Sequence, residues 1–259
     1  IVFGDWSSDV CSSDLGQNFA LFTGNTCENI PGNVSACDHL YEQLFPVNTW
    51  GNEYIIVPLW GIDTVTRNPI ARNSTYKIFS SSNNTNVLLN NTPLVNLSAG
   101  QSFLFNNRNF FHLSSNNPIQ VAQFSQGQTN GDRVLSDPFM IMVSPTYQKR
   151  NNVSFVSPGN FPSIFNHFLN IVTTKNCINN ILLDNQPIAG FTDVPNVSFS
   201  INSLIISPGF HNLRTNNRRC GFNAYVYGSG RADSYGYSAG VTLDPDRKST
   251  RLNSSHRIR

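Results

Sequence analysis

The stretch from Asp38 to Gly127 recurs, in diverged form, from Asp137 to Gly230. Asp38 stands eight residues before Pro46, and Asp137 eight before Pro145. Pro58 closes the apolar run EYIIVP, and Pro158 closes NVSFVSP. Asn86 to Leu94 (NVLLNNTPL) overlays Asn180 to Ile188 (NILLDNQPI) without a gap. LSAG at 97–100 then matches ISPG at 206–209, and IQVAQFSQG at 119–127 matches FNAYVYGSG at 222–230. A chain written twice has two similar apolar patterns to bury, so two copies of one module are expected instead of one large domain.

Each copy reads as strands. EYIIVPL (53–59), TYKIFS (75–80), FMIMVS (139–144), NILL (180–183) and FNAYVYG (222–228) are rich in Ile, Val, Phe and Tyr. Turn clusters such as NN, NG, SAG and SPG separate such runs, and side chains alternate along them. Only Leu40 to Leu44 and Phe161 to Phe168 leave room for a turn of helix. The expected fold class is all-β: two tandem, internally duplicated β-sandwiches packed side by side, with the jelly roll as one form they can take. The expected boundaries are 16–135 for an N-terminal extension plus the first module, and 136–245 for the second.

The ends read differently. One DNA strand encodes residues 5–15 (DWSSDVCSSDL), and its reverse complement, in another frame, encodes DRKSTRLNSS from 246 onward. Unrelated protein ends have no reason to be complementary at the codon level, so 1–15 and 246–259 are expected to be adapter-derived artefact. Seventeen basic against fifteen acidic residues then become twelve against eleven. So balanced a surface gives no electrostatic attraction to nucleic acid or to an anionic membrane. With 12% charged residues, solubility rests on amides and hydroxyls, among them 36 asparagines. No apolar run approaches the roughly 20 residues that span a bilayer, so no membrane insertion is expected.

Without Cys11 the cysteine count is an even four. None forms a CxxC pair or stands at zinc-ligand spacing from a histidine, so no metal site is expected. Pairing Cys27 with Cys37 and Cys177 with Cys220 places one bridge near each module; the alternative is four buried thiols. Bridges imply an oxidising, extracellular setting. Asn33, Asn73, Asn83, Asn90, Asn96, Asn152 and Asn196 each open an N-x-S/T sequon, about as many as chance gives in so Asn-rich a chain.

No catalytic residue is assigned. His39, His112, His167 and His211 are scattered, and no nucleophile elbow, zincin helix or phosphate loop occurs. No cofactor is expected. Asp38 and Asp137 share a repeat position, which suits a structural turn better than catalysis. The most distinctive segment is YVYGSGRADSYGYSAG at 225–240, where glycines permit tight turns and Arg231, Asp233, Tyr235 and Tyr237 are candidate ligand contacts. The competing reading has these tyrosines packing against the second module.

Several blocks together resemble the N-terminal domain of IgG Fc-binding proteins: CDHLYEQLFPVNTWGNEYIIVP (37–58), PIQVAQFSQG (118–127), DPFMIMVSP (137–145), FLNIV (168–172), LLDNQPI (182–188) and FNAYVYGSGRADSYGYSAG (222–240). The resemblance covers roughly 20–243. It implies a non-enzymatic binding or adhesion module, extracellular or at the cell surface, with a glycoprotein or glycan ligand and further domains in the parent chain. The abundant Asn and the Arg231-Ala232 pair depart from the commoner pattern. Two other classes stay open: a hydrolase acting on glycans or glycoproteins with carboxylates between the modules, and a shell-forming double jelly roll.

Overall fold

The computed structural model describes residues 20–243 apart from 35, 129, 130, 132 and 160–163; the expected artefact segments 1–15 and 246–259 lie outside the described residues. The fold is all-β. A hairpin of β1 (Phe22–Glu28) and β2 (Asp38–Gln43) precedes everything else, and the Cys27–Cys37 disulfide ties its strands together. Leu40 to Leu44, where a helical turn had room, instead continues β2 and ends just beyond it: Leu40 is buried against Ala122 and Met142, which an extended strand allows. The helical segments among the described residues are short 3-10 turns at Val47–Thr49 and Lys175–Asn180.

The first lobe is organised by one long strand, β10 (Phe111–Ser125). Its first half pairs with β3 (Gly51–Ile56) and with β7 (Thr85–Leu89), which carries β8 (Thr92–Leu97). Its second half pairs with β6 (Ser74–Ser80) and with β11 (Met140–Val143), while β9 (Ser102–Asn107) lies along β6. A small ladder of β4 (Trp60–Ile62) and β5 (Pro69–Ala71) closes one corner.

In the second lobe β18 (Gly209–Thr215) pairs with β12 (Asn152–Ser157) and with β14 (Ile181–Leu183), which carries β15 (Gln186–Pro187). β19 (Phe222–Gly230) pairs with β13 (Ile164–Thr174) and with β20 (Asp233–Ser238). β17 (Phe199–Ile206) lies along β13, with the two residues of β16 (Thr192–Asp193) beside it. This is the first lobe's pairing scheme with β10 divided into β18 and β19. The division falls between 215 and 222, where Cys220 is disulfide-bonded to Cys177 of the Lys175–Asn180 turn.

Turn chemistry repeats with the pairing. The β7–β8 turn is Asn90–Asn91 with φ 49 and 66°, and the β14–β15 turn is Asp184–Asn185 with φ 51 and 68°. Two successive positive φ values make the turn whose twist suits a tight hairpin, and Asn and Asp tolerate them best. His112 N–H donates to Asn90 Oδ1 at 2.9 Å, and Asn212 N–H donates to Asp184 Oδ1 at 2.8 Å. The match of LSAG with ISPG does not hold: Ser98–Gly100 turns between β8 and β9, whereas Ser207–Gly209 leads from β17 into β18. Both are small-residue turns before a strand, so sequence similarity there reflects turn chemistry and not position.

Alternation divides each strand between two destinations. Tyr54 and Ile56 of β3 enter the first core with Ile78, Leu113, Val121 and Ile141. Val153 and Phe155 of β12 enter the second with Leu169, Ile171, Leu213 and Val226. On the opposite face, Ile55 of β3 and Val57 just past its end pack across the lobe boundary on Val172, Val194, Phe199 and Ile201. Phe168, Tyr225 and Tyr227 of the second lobe likewise complete the first core. Tyr227 Oη accepts from Trp60 N–H at 2.9 Å and donates to Asn170 Oδ1 at 3.1 Å, and Asn170 Nδ2 donates to the Pro58 carbonyl at 3.0 Å. The lobes therefore share a buried, hydrogen-bonded boundary. The hairpin covers the far side of the first lobe, placing Ile30 and Leu40 over Ala122, Phe124, Met140 and Met142.

Candidate binding surface

The β19–β20 hairpin places the four sequence-predicted contact residues in two different settings. Gly230 is opposite Asp233, so Arg231 and Ala232 alone make the turn, and Arg231 is exposed at its tip. Tyr235 and Tyr237 point toward the second core and pack on it, half-buried, with ring centroids 6.1 Å apart. Tyr235 Oη is 2.9 Å from His167 Nδ1, and Tyr237 Oη donates to the Val156 carbonyl at 2.6 Å. Gly228 permits this arrangement, because a Cβ there would collide with the Tyr235 ring. The tyrosines are thus anchored within the lobe, while Arg231 and Asp233 lie on its rim.

Asp233 does not stand alone. It opens β20, Asp38 opens β2, and Asp137 lies three residues before β11. The three carboxylates are close enough to act on one another. Asp137 is pushed up to about 6, first by burial and then by the charges of Asp38 and Asp233. Asp38 is raised as well, by burial foremost, against the His39 amide that donates to it at 2.6 Å. Asp137 Oδ1 is buried without a hydrogen-bond partner, while Ser136 and Ser234 hydroxyls both donate to the Asp137 carbonyl. Among the described residues no group of three or more His, Cys, Asp or Glu side chains is arranged to hold a metal ion.

The outward face of the hairpin presents an aromatic strip. Phe22 and Tyr41 stack with centroids 5.4 Å apart and planes 7° from parallel, and His39 stacks on Tyr41 at 6.0 Å. Phe22 is 48% and Tyr41 60% exposed. The sequence reading missed this strip because β1 is polar apart from Phe22, and the two rings meet only through the pairing of β1 with β2. On another side of the hairpin a groove of about 230 Å³ is lined by Ile30, Pro31, Leu104 and Phe105 among others.

Two histidines have acidic partners that the sequence did not reveal. His211 Nδ1 is 2.7 Å from Asp184 Oδ2, and its Nε2 is 2.8 Å from the Ser207 carbonyl. Each ring nitrogen of His211 thus faces an oxygen acceptor of its own lobe. His112 Nε2 is 3.2 Å from Glu53 Oε1. The His112 hydrogen bond, with that from Thr146, holds the Glu53 carboxyl below its ordinary value despite burial. Both pairs tie neighbouring strands or turns together. The sequon asparagines Asn83, Asn90, Asn96, Asn152 and Asn196 are exposed, whereas Asn73 is half-buried and followed by the buried Ser74 and Thr75; Asn33 is exposed in the loop between β1 and β2.

Among the described residues, no helix is long and apolar enough to cross a membrane. A family model described as IgGFc binding protein matches residues 4–228, from before β1 to within β19. The match stops short of Arg231, Asp233, Tyr235 and Tyr237. No curated protein and no solved structure matches the chain. A match over most of the chain, on an all-β fold closed by two disulfides, places this protein in the IgG Fc-binding protein family.

Proposed function

We propose that the chain is an extracellular, non-catalytic module that binds a glycoprotein through the corner where the β1–β2 hairpin meets the β19–β20 tip. The observation that carries this reading is the exposed Phe22–Tyr41 stack on the outer face of the hairpin whose Asp38 interacts with Asp137 and Asp233. Large flat rings give contact area at little conformational cost, and adjacent charges give orientation and selectivity. Asp233 and Arg231 contribute the charged rim, while Tyr235 and Tyr237 act as the anchor that holds it. Family membership and the two disulfides support the extracellular setting. The two lobes are read as products of a tandem duplication, supported by their shared pairing scheme and turn chemistry.

Surface plasmon resonance on immobilised immunoglobulin Fc, and on a mucin glycoprotein before and after deglycosylation, tests the surface. Phe22→Ala with Tyr41→Ala is expected to weaken binding at least tenfold, and Asp233→Asn with Arg231→Ala several-fold. Tyr41→Phe should retain most of it. Binding unaltered by the hairpin pair would remove this corner from the account. Loss of binding on deglycosylation would identify a glycan as the recognised part.

A further inference from the structure

Strand register sets Val156 and Phe210 of the second lobe where Val57 and Phe110 stand in the first. Leu113 lies opposite both Tyr54 and Leu89, and Leu213 opposite both Val153 and Leu183. Stepping along the strands from these anchors aligns Ile55 with Ser154, Ile56 with Phe155, Val57 with Val156 and Phe110 with Phe210. The last two positions keep the same residue type. Their fates differ. Val57 is 3% exposed and Phe110 half-buried, both packed in the apolar cluster that joins the second lobe's outer sheet face. Val156 and Phe210, directly opposite each other, are 56% and 69% exposed.

A second equivalence points to what covers them. β11 is the edge strand that completes β10 in the first lobe, and it is also the strand from which the chain enters the second. β20 completes β19 in the same way. We propose that the Val156–Phe210 face is the seat for a third lobe of this kind, entered from β20 as the second is entered from β11, and docked through the outer face of its own β13–β17 sheet. This goes beyond the binding reading above and does not depend on it. A second copy of the described chain has no matching face to offer. Its second-lobe outer face is covered by the first lobe, and its first-lobe outer face by the β1–β2 hairpin. Ser154 in place of Ile55 makes this seat smaller and more polar than the one already filled, so the third lobe is held less tightly.

The test extends the full chain by a second copy of residues 144–243 appended after Leu243. Phe210→Cys is placed in the middle lobe, and its alkylation by a maleimide is compared with that of Phe210→Cys in the two-lobed chain. Labelling at least tenfold slower in the three-lobed chain is expected, with fast labelling restored by Val172→Asp in the appended copy. Hydrogen exchange of Asn152–Ser157, slowed by the appended lobe without any new thiol, gives the same answer independently. Equal labelling and exchange in the two chains overturn the proposal. An appended lobe that stays unfolded also counts against it, since a matching seat should template its outer face.

Discussion

At the scale of single residues, the polar groups at the lobe boundary and at the acidic corner govern how the chain responds to substitution and pH. Tyr227→Phe removes the hydroxyl that accepts from the Trp60 amide, leaving that part-buried N–H without its partner, while Asn170 Oδ1 keeps the Ser203 hydroxyl. A loss of about 1–3 kcal/mol is expected in urea titration, although no apolar contact is lost. Asp137 has the opposite sign. Its folded-state pKa, about 6, lies above the ordinary 3.8, so the folded protein keeps the proton longer than the unfolded chain. That costs nothing below the ordinary value, grows as pH rises through this window and persists above it. Asp137→Asn should therefore match the parent at pH 3.5 and exceed it at pH 7, by about 1 kcal/mol after solvent screening. Glu42, pushed up to about 7 by burial, predicts the same sign for Glu42→Gln over a window reaching higher. Thermal melts at several pH values check both; a difference that does not vary with pH would contradict the assignment.

At the scale of elements, the strands were readable from alternation, and the NN and DN turns from residue types that accept positive φ. NVLLNNTPL and NILLDNQPI become the same hairpin because the turn and the strand it anchors to are both specified locally. What escaped the sequence depends on which strands meet. β1, with FTGNTCE, has too little apolar content to announce itself, yet it turns Phe22 toward Tyr41. Asp38, Asp137 and Asp233 open or precede three edge strands, but only the stacking of β2, β11 and β20 gathers their charges. The glycine-rich loop was legible as unusual, with inward packing of its tyrosines as the alternative to ligand contact; they face inward because β20 pairs with β19 in a register that sets Tyr235 opposite Gly228. Gly236 serves the same edge, since a Cβ there would intrude on the Phe139 ring. Gly236→Ala is expected to cost about 1–3 kcal/mol by overpacking, which a denaturation midpoint would register; an unchanged midpoint would mean that β20 moves freely away from Phe139.

At the scale of the whole molecule, three layers follow one another: the hairpin covers the outer sheet face of the first lobe, and the first lobe that of the second. In the first lobe, β10 runs unbroken through a single seven-stranded sheet. In the second, the corresponding backbone is interrupted, and the Cys177–Cys220 disulfide ties the interruption to the Lys175–Asn180 turn. Replacing both cysteines by alanine should lower stability by about 4 kcal/mol, the chain entropy of a loop of this length. Hydrogen exchange should show the loss concentrated in β12, β14 and β18, with β10 little changed; uniform loosening would mean that the lobes unfold as one unit. The continuous strand has a mechanical meaning. A pull along the chain meets the first lobe as a single stiff element, whereas the second yields at its interruption unless the sulfur bridge is intact. A reducing environment would then soften the second lobe and untie the hairpin, while the long strand of the first lobe stays taut.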